Sequence, residues 1–190
     1  MRSFLFVPGD STRKFESAKK TAADALILDL EDSIAPDQKV VARGITREML
    51  DARNPEQKLY IRVNALDTDL TLGDLAAVMP GKPDGIVLPK CAGAADVNKL
   101  ALYLDAFEAA SGIAQGTTRI ITVATETARA VLKILDFENM SPRLWGMMWG
   151  AEDLAASLGA TRNRTDGRYH SPFILARDLC LIGAAAAAVV

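Results

Sequence analysis

The sequence predicts an α/β fold with a parallel sheet, of either the (β/α) barrel or the open doubly wound kind. Three observations predict it. Short runs such as ALILDL, LYIRV, GIVL and IITVA are apolar throughout. Strands of that kind suit a parallel sheet covered on both faces. Each run has a charged or polar group at or just past its end, as in ALILDLEDS, LYIRVN, GIVLPK, IITVATET and LWGMMWGAEDLAASL. The C-terminal strand ends are where barrel enzymes gather their chemistry. Strands and helices alternate for six βα units, which implies right-handed parallel crossovers. A closed barrel needs eight such units, so an incomplete barrel and an open doubly wound sheet both remain.

The elements follow in order. Ser3 to Val7 reads as the first strand, stopped by Pro8 and Gly9. Asp10 or Ser11 caps the next helix, whose apolar stripe is Phe15, Ala18 and Ala22. Strand two is Ala25 to Leu30, with Glu31 and Asp32 at its end, and a helix follows around Val40 to Leu50. Strand three is Leu59 to Val63. Leu70 to Met79 makes a short helix closed by Pro80 and Gly81. Strand four is Gly85 to Leu88. Val97, Leu100, Leu104 and Phe107 step by three and four along the next helix, which Gly112 to Gly116 breaks. Strand five is Ile120 to Ala124, with a helix from about Thr127 to Leu135. Strand six is Leu144 to Trp149, on which Trp145, Met147 and Trp149 alternate and read as core. A short helix, a basic loop from Thr161 to His170 and a last helix from Ser171 to the terminus complete the chain.

Composition narrows the function. With 190 residues the chain has room for one domain, and 49% hydrophobic residues suffice for a sizeable core. The 22 basic and 24 acidic residues nearly cancel, so no global field favours nucleic acid. The apolar runs at both ends are too short for a secretory signal or a bilayer span, so no membrane association is expected. Cys91 and Cys180 lie far apart without metal or redox spacing, which fits a reducing, cytoplasmic setting. A single histidine, His170, leaves no room for a Ser-His-Asp triad or a histidine-rich metal site. No phosphate-binding glycine motif is present.

Glu126 and Asp153 follow strands five and six and form the foremost candidate pair. Two carboxylates, with water and substrate oxygens, suit Mg²⁺. The alternative is that both acids only satisfy helix N-termini. Spacing alone also leaves Glu152 open. Arg62 sits within an otherwise apolar strand end and needs an anion. A substrate carboxylate gripped by two donors would serve, and so would an internal pair with Glu31, Asp32 or another strand-end acid. Glu31 and Asp32 suit either the waters of a metal or a loop cap. Lys90 and the arginines Arg162, Arg164 and Arg168 read first as solvated loop residues.

The stretches RSFLFVPGD, DALILDLEDSI, YIRVN, DGIVLPK, ATET and WGAEDLAASLGA resemble, in this order, the citrate lyase beta subunit and malyl-CoA lyase family. They cover essentially the whole chain. The resemblance implies a (β/α)₈ TIM-barrel type, with six of the eight units in a single partial domain over residues 1–190. It implies that Arg62 binds the carboxylate of an α-keto acid. It assigns Mg²⁺ to Glu126 and Asp153, with Glu126 also against the substrate and with Glu31 and Asp32 supporting the metal site. The implied activity is Mg²⁺-dependent carbon–carbon cleavage of a β-hydroxyacyl-CoA thioester to an oxaloacetate-like α-keto acid and an acyl-CoA. Family members continue through two further units, which carry an acid that completes a neighbouring subunit's site. A homo-oligomer is therefore expected, and the catalytic base is assigned to no residue of this chain. A second class of function stays open: a metal- and keto-acid-binding or assembly subunit without turnover.

Overall fold

The computed structural model describes residues 1, 3–137 and 140–189. Arg2 of the opening motif and Val190 at the end of the last predicted helix lie outside the described residues. Six parallel strands lie in one sheet in chain order. They are β1 (Phe4–Pro8), β2 (Ala25–Asp29), β3 (Lys58–Arg62), β4 (Gly85–Leu88), β5 (Arg119–Val123) and β6 (Leu144–Met148). A doubly wound sheet reverses its strand order at a switch point. The unbroken β1-β2-β3-β4-β5-β6 order is instead that of a barrel wall. Helices alternate with the strands: α1 (Thr12–Ala18), α2 (Lys39–Asp51), α3 (Thr71–Val78), α4 (Ala94–Ala110), α5 (Ala128–Leu132), α6 (Ala151–Ser157) and α7 (Ser171–Ala186). No helix among the described residues is long and apolar enough to cross a membrane.

The chain divides into two compact units, Met1–Val87 with Tyr103–Arg119, and Leu88–Leu102 with Ile120–Val190. In the first, β2 is buried at every position, as its unbroken apolar run requires. Leu26, Ile27 and Leu28 are completely covered. Each such side chain contributes about 1.5–3 kcal/mol of transfer free energy. The register sets Pro8 beside Asp29, and Asp29 beside Arg62. Strand ends of opposite charge therefore meet at one level of the sheet. Gly9 follows β1 because nothing larger fits. A Cβ there would lie 2.4 Å from Thr46 Oγ1 and 2.8 Å from the Asp29 carbonyl oxygen.

In the second unit, β5 pairs with β6 through a register shift at Ile120 and Ile121. Helix α5 is shorter than the spacing predicts. It ends at Leu132, and a 3₁₀ turn, Ile134–Phe137, follows. Residues three apart eclipse in a 3₁₀ turn. That tightening puts Ile134 and Phe137, 4% and 1% exposed, on one buried face. The segment from Thr161 to His170 is not wholly loop. Two-residue strands β7 (Arg164–Thr165) and β8 (Arg168–Tyr169) pair antiparallel around Asp166 and Gly167. Both turn residues are left-handed, at φ 49° and 76°, as a tight Asp-Gly hairpin requires. Trp145, Met147 and Trp149 are half-buried rather than core, because β6 is an end strand of the sheet order. Trp149 instead meets Tyr169 edge to face at 5.1 Å.

Candidate functional site

Lys90, Glu126 and Asp153 converge in the second unit. Strand β4 ends at Leu88, and two residues later the backbone turns left-handed at Lys90, φ 52°. That conformation is uncommon for a residue with a side chain. It aims the Lys90 N–H at the Glu126 carboxylate, which accepts through Oε2. Glu126 is 3% exposed. It does not cap α5; the neighbouring Thr127 does, its hydroxyl accepting from the Ala130 N–H at 3.1 Å.

Gly150 makes room for it. A Cβ at that position would lie 2.6 Å from Glu126 Cγ and 3.2 Å from Val123 Cγ1. The Gly150 N–H is fixed by the Thr125 hydroxyl at 3.2 Å, which sets where α6 starts. Both Glu152 and Asp153 fall in the first turn of α6. Glu152 points to solvent, whereas Asp153 Oδ2 lies 3.8 Å from the Lys90 ammonium. Of the two acids that spacing left open, Asp153 is therefore the one that faces Lys90.

Arg62, Glu31 and Asp32 come together in the first unit, around a residue the sequence reading passed over. Asp29, 2% exposed, accepts from Arg62 Nε at 2.8 Å and from Nη2 at 2.7 Å. Its oxygens also accept from the backbone N–H groups of Glu31 and Ser33. Arg62 Nη1 lies 3.1 Å from Glu31 and 3.5 Å from Asp32, and the guanidinium stacks 5.0 Å above the Phe6 ring. Burial raises the Asp29 pKa, but the Arg62 hydrogen bonds and charge outweigh it and hold the carboxyl below its ordinary value. Burial likewise opposes the Arg62 charge, and Asp29, Glu31 and Asp32 more than restore it. The internal partners that the sequence left open for Arg62 are therefore present, with Asp29 foremost.

A buried network steadies this cluster. Lys39 Nζ donates to the carbonyls of Leu30 and Glu31 and to Asn64 Oδ1 at 2.6–2.9 Å. Asn64 donates to Asp74, and Arg43 closes the chain on Asp74 at 2.8 Å. Desolvation lowers the Lys39 pKa against the pull of Asp29, Glu31 and Asp74. None of Asp29, Lys39, Asn64 or Asp74 stood out in the sequence. A usable signal existed for Asp29, since a charge inside the run ALILDL must find a partner.

The described residues contain no group of three or more His, Cys, Asp and Glu side chains suited to a metal ion. Two carboxylates remain, and Mg²⁺ typically takes one or two from the protein and completes its shell with water and substrate. Glu126 and Asp153 fit that demand. Gly150 leaves space against Glu126, and the ammonium of Lys90 shows that the Asp153 carboxylate accommodates a cation. Cys91 and Cys180 are buried free thiols whose pKa values burial pushes up to about 12 and about 11, so neither is a thiolate nucleophile. Arg162, Arg164 and Arg168 are exposed, with Arg164 over the Tyr169 ring at 5.6 Å.

Comparison with known proteins finds related chains. The sequence profile described as HpcH/HpaI aldolase/citrate lyase matches residues 2–188. A (3S)-malyl-CoA thioesterase of Cereibacter sphaeroides is 36% identical over 166 residues, 87% of this chain and 53% of the relative. An L-malyl-CoA/beta-methylmalyl-CoA lyase of Rhodobacter capsulatus is 34% identical over 181 residues, 92% of this chain and 55% of the relative. The chain thus spans about half the length of these curated relatives. A solved citrate lyase beta subunit from M. tuberculosis, complexed with oxaloacetate and magnesium, superposes with a TM-score of 0.80 at 34% identity. That likeness covers 98% of this chain and 75% of the solved one.

Proposed function

The chain belongs to the HpcH/HpaI aldolase/citrate lyase family, and from that premise we propose that it serves a Mg²⁺-dependent carbon–carbon lyase acting on a β-hydroxyacyl-CoA thioester. The substrate class is that of citryl-CoA, malyl-CoA or citramalyl-CoA. The single observation that carries the reading is the convergence of Glu126 and Asp153 on the Lys90 turn. It gathers two carboxylates at the kind of strand end where barrel enzymes work.

In this reading the substrate's hydroxyl proton is removed, and the bond between the hydroxyl-bearing carbon and the carbon next to the thioester breaks. The electron pair passes to a thioester enolate, which then takes up a proton. The other product is the α-keto acid. Glu126 and Asp153 would hold the divalent cation, which when bound supplies Lewis acidity to the substrate oxygens. Arg62 would grip the keto-acid carboxylate, and its two bonds to Asp29 preset the plane of the guanidinium. Glu31 and Asp32 would help to hold that guanidinium in place. No residue of this chain is assigned as the base.

Incubation of the protein with malyl-CoA, citramalyl-CoA and citryl-CoA, with and without Mg²⁺, tests the proposal. Keto acid plus a shorter acyl-CoA is the expected product, and EDTA should abolish it. Free CoA with intact hydroxy acid would indicate thioester hydrolysis instead and would contradict the lyase assignment.

Homo-oligomerisation belongs to the same reading. End strand β1 leaves Leu5 and Phe6 37% and 40% exposed, and α7 leaves Leu181 and Ile182 73% and 58% exposed. Apolar surface of this kind and unpaired strand edges favour association. Sedimentation should give a mass of at least two chains; a stable monomer at micromolar concentration would refute it.

A further inference from the structure

We infer that Lys90 is a positioning residue with two separable duties: its backbone fixes Glu126, and its ammonium occupies the place beside Asp153 until a divalent cation displaces it. This rests on the metal-site reading above and adds to it a residue that works through the two carboxylates. The observations are independent of each other. The first is the left-handed backbone at Lys90, which spends conformational strain on presenting one N–H to Glu126. The second is the 3.8 Å approach of the Lys90 ammonium, rather than its backbone, to Asp153 Oδ2. Two carboxylates brought near one another repel. A tethered cation relieves that repulsion while no metal is bound. Once Mg²⁺ arrives, the same ammonium becomes a like charge beside it and has to swing away. Both side chains are about a third exposed, 34% and 33%, so the ammonium has a path into solvent.

The consequence is unusual for a residue at a metal site. Removing its charge strengthens metal binding. Lys90→Met keeps the stem and the backbone N–H and deletes only the charge. By calorimetry it should bind Mg²⁺ roughly two- to fivefold more tightly than wild type, the range of a partly exposed ion pair. Lys90→Arg restores the charge and should return the wild-type affinity. Lys90→Gly also keeps the N–H, relieves the left-handed strain, and should bind tightly too, which guards against misfolding of the Met variant. Without metal, Lys90→Met and Asp153→Asn should lower the melting temperature non-additively, since they delete the two ends of one pair.

Unchanged or weakened Mg²⁺ affinity in both Lys90→Met and Lys90→Gly overturns the inference. If Asp153→Asn still abolishes binding in that case, the metal-site reading survives it. Additive melting temperatures overturn the pairing. A wild-type protein that binds no Mg²⁺ removes the metal-site reading, and the displaced-cation role falls with it.

Discussion

Replacing Glu126 or Asp153 by Ala should abolish the stabilisation that Mg²⁺ and oxaloacetate together give the wild-type protein. At a ligand concentration a hundredfold above Kd that stabilisation amounts to about 2.7 kcal/mol, all of which should vanish in thermal melts of either variant. Glu152→Ala is the control, because Glu152 sits in the same helical turn yet faces solvent. The apo proteins should differ as well. Glu126→Ala removes the carboxylate that accepts from the part-buried Lys90 N–H; losing such a bond should cost about 1–3 kcal/mol. Asp153→Ala loses only a partly exposed pair and should melt within about 1 kcal/mol of wild type. If the acids merely serve helix ends, each loss should cost about 0.5–2 kcal/mol and ligand stabilisation should persist. Retention in Asp153→Ala with loss in Glu152→Ala would move the site by one residue.

Arg62→Met should produce the largest loss of stability. Asp29 and Glu31 are 2% and 5% exposed, and Arg62 is the cation between them. Deleting one partner of a buried pair costs about 3–5 kcal/mol, because the remaining charge stays buried. The pH dependence should invert too. In the wild type the Asp29 pKa is held below its unfolded value of about 3.9. Its contribution is therefore present above that pH and lost as pH falls through the folded value. Without Arg62, desolvation is opposed only by the Glu31 and Ser33 N–H bonds, and the Asp29 pKa should rise above the unfolded value. The variant should then bind a proton on folding and be more stable at pH 5 than at pH 7. Urea unfolding between pH 4 and 8 checks this, and parallel profiles for the two proteins would contradict it. Keto-acid binding should disappear in the same variant, since Met offers no donor to a carboxylate.

What the sequence disclosed and what it concealed divide along physical lines. Continuous apolar runs disclosed β2 and β4 to within a residue, because a strand buried on both faces has no alternation to blur. Strand-end acids disclosed Glu126 and Asp153 as candidates. An internal acid for Arg62 was legible, but that Asp29 is the foremost one was not, since it meets Arg62 through the register of β2 on β3, across 33 positions of sequence. The Lys39–Asn64–Asp74–Arg43 network was concealed for the same reason, each link being a tertiary contact. The direction of Asp153 against Glu152 depended on where α6 begins, which the Gly150–Thr125 bond sets. The hairpin was legible in the Asp-Gly pair at its tip, yet the basic residues around it drew the segment towards a loop.

The central claim is that Glu126 and Asp153 share one divalent cation. Anomalous diffraction from crystals of the protein soaked in Mn²⁺, a stand-in for Mg²⁺, tests it most directly. The account predicts one peak per chain, within about 2.0–2.2 Å of a carboxylate oxygen from each of Glu126 and Asp153, with the Lys90 ammonium moved away from Asp153. A peak at Glu152, or at Glu31 and Asp32 alone, or an Asp153 still paired with Lys90 beside an empty site, would contradict it.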